Sequence, residues 1–318
     1  MAQRRQVFMV LSPRSLGYAR GALESLFRNT LEPLNLHLIT DTQDDKYELS
    51  DAVSSLHAKS HWWHVYSEKD LGDREADLFR RHSNLRTFRH GHPCWRKITD
   101  PLLLSDPDSE MVLLDPDLYF PNRFQFEKTP QTGLLLMWQK FHCLFPQEVV
   151  KTAMEARIPL ANHGDIGVAH WRSSADLEWL DWLVGRLGGE SLPRIAHIES
   201  IVWAALAMRE GGGHLDPAYW KCWHRSIAKR VMVKAGVSGL RILRAEPWRE
   251  LKCFHAGGES KWWLLAARAS EMLDSTTEHT LPGRTIPFVE LRPANYATER
   301  AFKRVLQYTG YYRIFRSA

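Results

Sequence analysis

The stretch from Gln6 to Asp41 constrains the fold more than any other part of this chain, because its hydrophobic period changes twice within it. Val7 to Leu11 is an apolar run that stops at Ser12 and Pro13, which reads as a first strand ending in a loop. From Ser15 onward Leu16, Ala19, Leu23, Leu26 and Phe27 recur at helical spacing, one apolar face of a helix. Pro33 breaks that pattern. Leu34, Leu36 and Leu38 then alternate with Asn35 and His37 in the manner of a half-buried strand, ending at Thr40 and Asp41. A strand, a helix and a strand in this order open α/β nucleotide-binding folds.

The remainder of the chain extends the same theme. Asp44 to Arg89 is polar and charge-rich, with helical patches such as Arg74 to Arg81. Strands are expected at Met111–Leu114, Gly133–Trp138 and Ile166–Ala169, and helices at Leu177–Leu187 and Ile198–Met208. Leu251 to His255, a glycine pair and a helical run from Lys261 to Met272 follow. Beyond Leu281 the chain is basic and less organised, so a boundary near Asp274 to Pro282 separates a domain of residues 1–274 from an extension of residues 275–318.

With 318 residues, 44% hydrophobic and 25% charged, the chain can bury a sizeable core, and no low-complexity tract or fixed repeat marks it as fibrous or disordered. Arg4 and Arg5 precede an apolar run too short for a signal peptide, and no run approaches the roughly 18 to 20 residues of a membrane span. Cys94, Cys143, Cys222 and Cys253 form no CxxC pair, so neither a zinc ribbon nor a disulfide framework is indicated; reduced thiols and a cytoplasmic location are the expectation. The net charge of +5 derives partly from Arg225 to Arg244 and Arg300 to Arg316. Such stretches are solvated faces, or they attract phosphates, acidic lipids or nucleic acid. Nucleic acid is not an expected partner, since no RNP, helix-turn-helix or zinc-finger pattern accompanies them.

The sharpest local feature is Val112-Leu113-Leu114-Asp115-Pro116-Asp117, two carboxylates at the C-terminal end of an apolar strand. Carboxylates so placed hold a divalent cation that stabilises the dianionic leaving group of a sugar nucleotide. The tripeptide alone also suits a turn or a cap, and Asp106-Pro107-Asp108 repeats it after Ser105 in a loop. A second feature is His255-Ala256-Gly257-Gly258-Glu259-Ser260-Lys261-Trp262-Trp263. Here a glycine turn lets backbone amides approach phosphate, His255 completes a mixed oxygen and nitrogen ligand set, and Lys261 neutralises phosphate charge. The competing reading makes His255 a satisfied core histidine and the glycines a helix-initiating turn. His90-Gly91-His92-Pro93-Cys94 has ligand-type residues but no second cluster at a recognised spacing. Thirteen tryptophans, Trp62, Trp63, Trp138, Trp220 and Trp223 among them, are core residues or platforms for sugar rings.

His255, Gly258, Lys261 and Trp263 resemble the H-x-x-G-x-x-K-P-W signature of glycosyltransferase family 8, the family that includes glycogenin, with Trp262 at its proline, and Asp115 and Asp117 resemble its D-x-D. Tyr18 to Leu23 is similar to the segment that meets uracil in that family, and Leu36 to Asp41 to its second strand. The matches keep the family's order over most of residues 6 to 263. The resemblance implies a GT-A nucleotide-diphospho-sugar transferase fold, a Rossmann-like central mixed sheet flanked by helices. It implies Mn2+ or Mg2+ on Asp115, Asp117 and His255, and a nucleoside diphosphate sugar, UDP-linked, on Ser12, Tyr18, Asp41, Gly258 and Lys261. Lys97, with Arg96 as a substitute one residue away, falls where the family has a basic residue that reaches the donor. Asp165 stands where the family has asparagine, and Glu199 where it has an acid near the anomeric carbon, followed here by Ser200 in place of glutamine.

The resulting expectation is a metal-dependent hexosyltransferase, acting with retention on a hydroxyl of a glycan, lipid or protein, with Asp165, Glu199 and Lys97 at the reacting centre. The basic C-terminus, Phe302 to Phe315, is a candidate for peripheral membrane contact. Two alternatives stay open: a degenerate member that binds nucleotide or glycan without turnover, and a sugar nucleotidyltransferase. Ser12 to Tyr18 does not look like the glycine-rich, lysine-containing loop of the latter.

Overall fold

The apolar runs of the chain assemble into one mixed sheet in a computed structural model that describes residues 4–58, 60–269, 273 and 277–311. In spatial order its strands are Trp62–Tyr66, Leu34–Ile39, Arg5–Val10, Glu110–Leu114, Gly164–Arg172, Leu134–Trp138, Trp220–Cys222, Cys253–His255 and Leu118–Tyr119. Gly212–His214 pairs alongside Leu134–Trp138, and Ile286–Pro287 alongside Gly212–His214. The first four run parallel, and Gly164–Arg172 is antiparallel to both neighbours. That reversal carries the start of Gly164–Arg172 to the edge where the parallel strands end. Leu114 there pairs with Val168, and the Asp115 amide donates to the Gly167 carbonyl at 2.8 Å.

Strand alternation sends successive side chains to opposite faces, and each face is roofed by helices. Val7, Met9, Leu36, Leu38, Val112 and Leu114 pack against Ala19, Leu23 and Leu26 of helix Leu16–Asn29 and against Leu49 and Val53 of helix Gln43–Ser54. Phe8, Met111 and Leu113 pack on the other side against helices Arg96–Leu104, Leu177–Leu187 and Ile198–Glu210. A capping box at Thr42 and Asp45 starts helix Gln43–Ser54.

Three sequence expectations change. Leu34–Ile39 is buried on both faces, because helices cover the parallel sheet on both sides. His37, expected at its polar face, is buried: its ring stacks on Phe8 at 4.7 Å and its Nε2 lies 2.9 Å from Gln6 Oε1. The polar stretch after Asp44 contains strand Trp62–Tyr66, at the sheet edge, where Trp62 stays exposed beneath the Arg4 guanidinium. The strand expected at Ile166–Ala169 is longer, Gly164–Arg172. Helix Ser260–Ala269 starts as expected, and its continuation to Met272 lies outside the described residues.

The residues read as a basic extension reach back into this architecture. Glu278–His279 pairs with Arg123–Phe124, Ile286–Pro287 joins the main sheet, and Leu291 and Tyr296 enter its core from the start of helix Pro293–Tyr308. Among the described residues no helix is long and apolar enough to cross a membrane.

Burial drives the His37 imidazole down to about 4, with His64 and Arg74 adding to the effect, and burial likewise holds His214 at about 4. Because these folded-state values lie below the ordinary one, the unfolded chain takes up protons first as pH falls. The contribution of these two histidines to stability is therefore full above about pH 6.5 and is lost toward pH 4. Melting scans are expected to show the midpoint falling steeply between those values, and His37→Phe should flatten the slope; an unchanged slope would remove His37 from the account.

Candidate active site

Sheet topology brings distant parts of the chain to one edge. Strand Glu110–Leu114 ends at Asp115, and the turn through Pro116 and Asp117 leads into Leu118–Tyr119, which pairs antiparallel with Cys253–His255. The Ala256 amide donates to the Asp117 carbonyl at 3.0 Å, so backbone bonds clamp the Asp-Pro-Asp turn beside His255. Asp106-Pro107-Asp108 sits at the opposite end of the same strand, exposed, with the Asp106 carbonyl accepting from Ser173 Oγ and the Asp108 carbonyl from Arg172.

His255 Nε2 lies 3.1 Å from Asp117 Oδ1 and 3.8 Å from Asp115 Oδ2, and the three residues form one potential ligand cluster. Two carboxylate oxygens and an imidazole nitrogen suit Mn2+ or Mg2+ and leave positions for phosphate oxygens. Burial disfavours the charged form of His255, but Asp165 and Asp117 outweigh burial and raise the imidazole well above its ordinary range. Burial raises Asp115, with Asp117 adding to it and Lys97 opposing it. For Asp117 burial pushes upward too, yet His255 and Lys261 bring the carboxyl below its usual range.

Asp165 lies on the far side of the ring, its Oδ1 2.7 Å from His255 Nδ1 and accepting from the Gly167 amide at 3.0 Å. A carboxylate so placed selects the tautomer that frees Nε2 for a metal. Gly167 is part of this fit, since a Cβ there would stand 2.5 Å from His255 Nδ1. Gly167→Ala is expected to tilt the ring and weaken Mn2+ binding roughly 10- to 100-fold, the cost typical of disturbed ligand support. A paramagnetic titration of Mn2+ checks this, and unchanged affinity would rule the close approach unimportant.

Lys97 sits between Asp115 Oδ1, 2.5 Å away, and Glu199 Oε1, 3.0 Å away. Its neighbour Arg96 faces elsewhere, donating to the Thr40 carbonyl at 2.8 Å and pairing with Asp41, so Lys97 is the cation beside the Asp-Pro-Asp turn. Glu199 is buried in the first turn of the apolar helix Ile198–Glu210. Burial pushes its carboxyl up to about 8 despite Lys97, and its Oε2 has no hydrogen-bond partner among the described residues.

Gly258 adopts φ +63, a left-handed conformation that favours glycine, in the turn before helix Ser260–Ala269. Lys261 Nζ lies 4.7 Å above the Tyr18 ring, and Trp262 meets that ring edge-on at 5.5 Å. Tyr18, Asp117, Tyr119 and Lys261 line a narrow cleft together with Arg268. Ser12 ends the loop after strand Arg5–Val10 and stands at the N-cap position of the turn at Pro13–Ser15, with no side-chain cap bond among the described residues. Larger hollows, one of about 860 Å³ lined by Arg4, Asn35 and Glu110, lie toward the opposite edge and contain none of these residues. His90 pairs with Glu68 and Glu75, and His92 accepts from the Cys94 amide, so among the described residues that segment forms no ligand cluster. Trp220 is core. Cys222, against His255, had no sequence signal; only strand pairing brings it there.

No family model matches the sequence, and no curated protein matches it. Solved structures do. Mouse xyloside xylosyltransferase 1 matches with TM-score 0.53 at 13% identity, over 81% of this chain and 98% of that one. The galactosyltransferase LgtC, in complex with donor and acceptor sugar analogues, matches with TM-score 0.48 at 10% identity, over 84% and 93%. Glycosyltransferase GlyE of Streptococcus pneumoniae matches with TM-score 0.47 at 12% identity, over 86% and 65%. The first likeness, which spans nearly all of the mouse chain, shows that this protein has the GT-A fold.

Proposed function

We propose that the protein is a metal-dependent glycosyltransferase that moves a hexose from a nucleoside diphosphate sugar, UDP-linked, to a hydroxyl of a glycan, lipid or protein, with retention. The observation that carries this reading is the convergence of Asp115, Asp117 and His255 Nε2 at the edge of a GT-A sheet where the parallel strands end. A divalent cation bound there supplies Lewis-acid stabilisation to the departing diphosphate.

The chain's own residues account for the rest. Lys261 and the amides of the Gly257-Gly258 turn neutralise phosphate oxygens, while Tyr18 stacks on the base and Ser12 and Asp41 flank the nucleoside. Lys97, held by Asp115 and Glu199, presents its charge toward the sugar. Glu199 and Asp165 face the anomeric centre as its bond to the diphosphate breaks and the acceptor oxygen bonds to carbon, the acceptor's proton passing to the departing diphosphate. Asp165 has a second duty, since one of its oxygens is engaged with His255.

The test is donor binding and hydrolysis across a panel of nucleotide sugars, with and without Mn2+. Metal-dependent turnover of one donor is expected. Donor binding without turnover would favour the degenerate reading, for which the departures at Asp165 and Ser200 are the motive, and no donor binding would end both.

The C-terminal helix is proposed to rest on an anionic membrane surface, because Phe302, Val305 and Tyr308 are exposed beside Lys303 and Arg304; residues 312 to 315 of that stretch lie outside the described residues. Deleting residues 300–318 is expected to reduce co-sedimentation with phosphatidylserine liposomes several-fold, and equal sedimentation would sink the idea.

A further inference from the structure

His255 belongs to two clusters of ligand-type atoms at once. Its Nε2 faces Asp115 and Asp117, whereas its Nδ1 lies 2.7 Å from Asp165 Oδ1 and 3.8 Å from Cys222 Sγ, and that sulfur is 3.4 Å from Asp165 Oδ2. Strand register builds the second cluster. Cys222 and His255 are paired residues of the parallel strands Trp220–Cys222 and Cys253–His255, so both side chains emerge on one face, beneath the start of Gly164–Arg172.

We propose that Asp165, Cys222 and His255 Nδ1 form a second cation site, suited to a borderline-soft divalent ion of the zinc class, which competes with the Asp115–Asp117 site for the single imidazole.

Donor chemistry separates the two sites. Two carboxylates and an imidazole suit a hard cation, whereas one carboxylate, one thiolate and one imidazole are the set that binds zinc, here with the fourth position open. Geometry agrees. Tetrahedral zinc bonds of about 2.0 to 2.3 Å place ligand atoms roughly 3.3 to 3.6 Å apart. The sulfur-to-carboxylate and sulfur-to-imidazole separations of 3.4 and 3.8 Å lie close to that range. The 2.7 Å contact is a hydrogen bond that opens slightly when the cation replaces its proton. The thiol proton leaves to solvent as the thiolate binds.

Competition follows from the ring. A neutral imidazole has one lone pair. When Nε2 holds a cation, the Nδ1 hydrogen donates to Asp165. When Nδ1 holds one, the Nε2 hydrogen donates to Asp117 and the hard site is reduced to its carboxylates. Zinc is thus expected to oppose manganese through the tautomer of one residue.

The experiment uses the full chain with Co2+ as a spectroscopic probe, and Zn2+ and Mn2+ as competitors. One equivalent of Co2+ is expected to give a thiolate-to-cobalt charge-transfer band in the wild type and in Asp117→Asn, absent in Cys222→Ser and in Cys222→Ala. Zinc affinity should fall more than roughly 100-fold in the Cys222 variants, beyond the loss of an outer-shell partner. One equivalent of Zn2+ should weaken Mn2+ binding at least tenfold in the wild type and much less in those variants. A band that survives in Cys222→Ser, which would place the metal on Cys94, Cys143 or Cys253, overturns the site. Independent binding of Zn2+ and Mn2+ overturns the competition. No sugar or turnover enters these measurements, so their failure is distinct from failure of the transferase reading.

Discussion

Asp117→Ala is expected to lower kcat with the preferred donor by roughly a thousandfold in saturating Mn2+, while the melting midpoint moves by no more than a few degrees. The kinetic part follows from the proposed cation site: Asp117 offers one of three converging ligand-type groups, and charge stabilisation by a well-held cation is worth about 4 kcal/mol, or three powers of ten. The stability part follows from what holds the turn. The clamp is the bond from the Ala256 amide to the Asp117 carbonyl, which alanine retains. Removing the carboxylate takes one partner from His255, which keeps Asp165, and relieves Asp115 of a like-charged neighbour. Kinetics and thermal melting on the same preparation check both halves. Turnover that persists in the variant would remove Asp117 from the ligand set, and a collapse in the midpoint would make it structural.

The largest effect on stability is expected away from the reacting groups. Arg89 and Asp100 have fully buried side chains joined by a two-point contact, Nε to Oδ1 at 2.8 Å and Nη2 to Oδ2 at 3.2 Å, and Arg89 also reaches Glu75. Arg89→Met leaves the buried Asp100 without its ion-pair partner, while Glu75 keeps Arg86 and His90, and breaking such a buried pair from one side costs about 3–5 kcal/mol. At roughly 2 °C per kcal/mol for a chain of this size, the midpoint should drop by about 6–10 °C. Arg89→Lys should recover part of the loss only, because an ammonium cannot make the two-point contact. Asp100 belongs to helix Arg96–Leu104, which also carries Lys97, so Arg89→Met is expected to loosen the contact of Lys97 with Asp115 as well. A shift below about 2 °C would show that Asp100 accepts a proton at little cost.

Much of the fold was legible because hydrophobic period is a local property. Helix Leu177–Leu187 falls where its apolar spacing predicts, and strand Glu110–Leu114 starts one residue before its prediction. Strand Trp62–Tyr66 was not legible: an edge strand keeps exposed and polar residues, so its alternation is faint among charged neighbours. The two Asp-Pro-Asp tripeptides were distinguishable in advance because one ends an apolar run and the other follows a loop serine. Their structural fates differ accordingly.

By itself, then, the sequence determined the α/β class, the position of the carboxylate pair at a strand end and the glycine turn before Lys261, since each depends on residues a few positions apart. The tertiary structure decided what those groups meet. His255 contacts Asp165 across 90 positions and Asp117 across 138, and Lys97 meets Glu199 across 102. Sheet order and register set those encounters, through packing of whole elements, so no local pattern encodes them. The same packing turned Lys97 and not Arg96 toward Asp115, buried Glu199 in an apolar helix, and put the Cys222 thiol against a metal-type histidine.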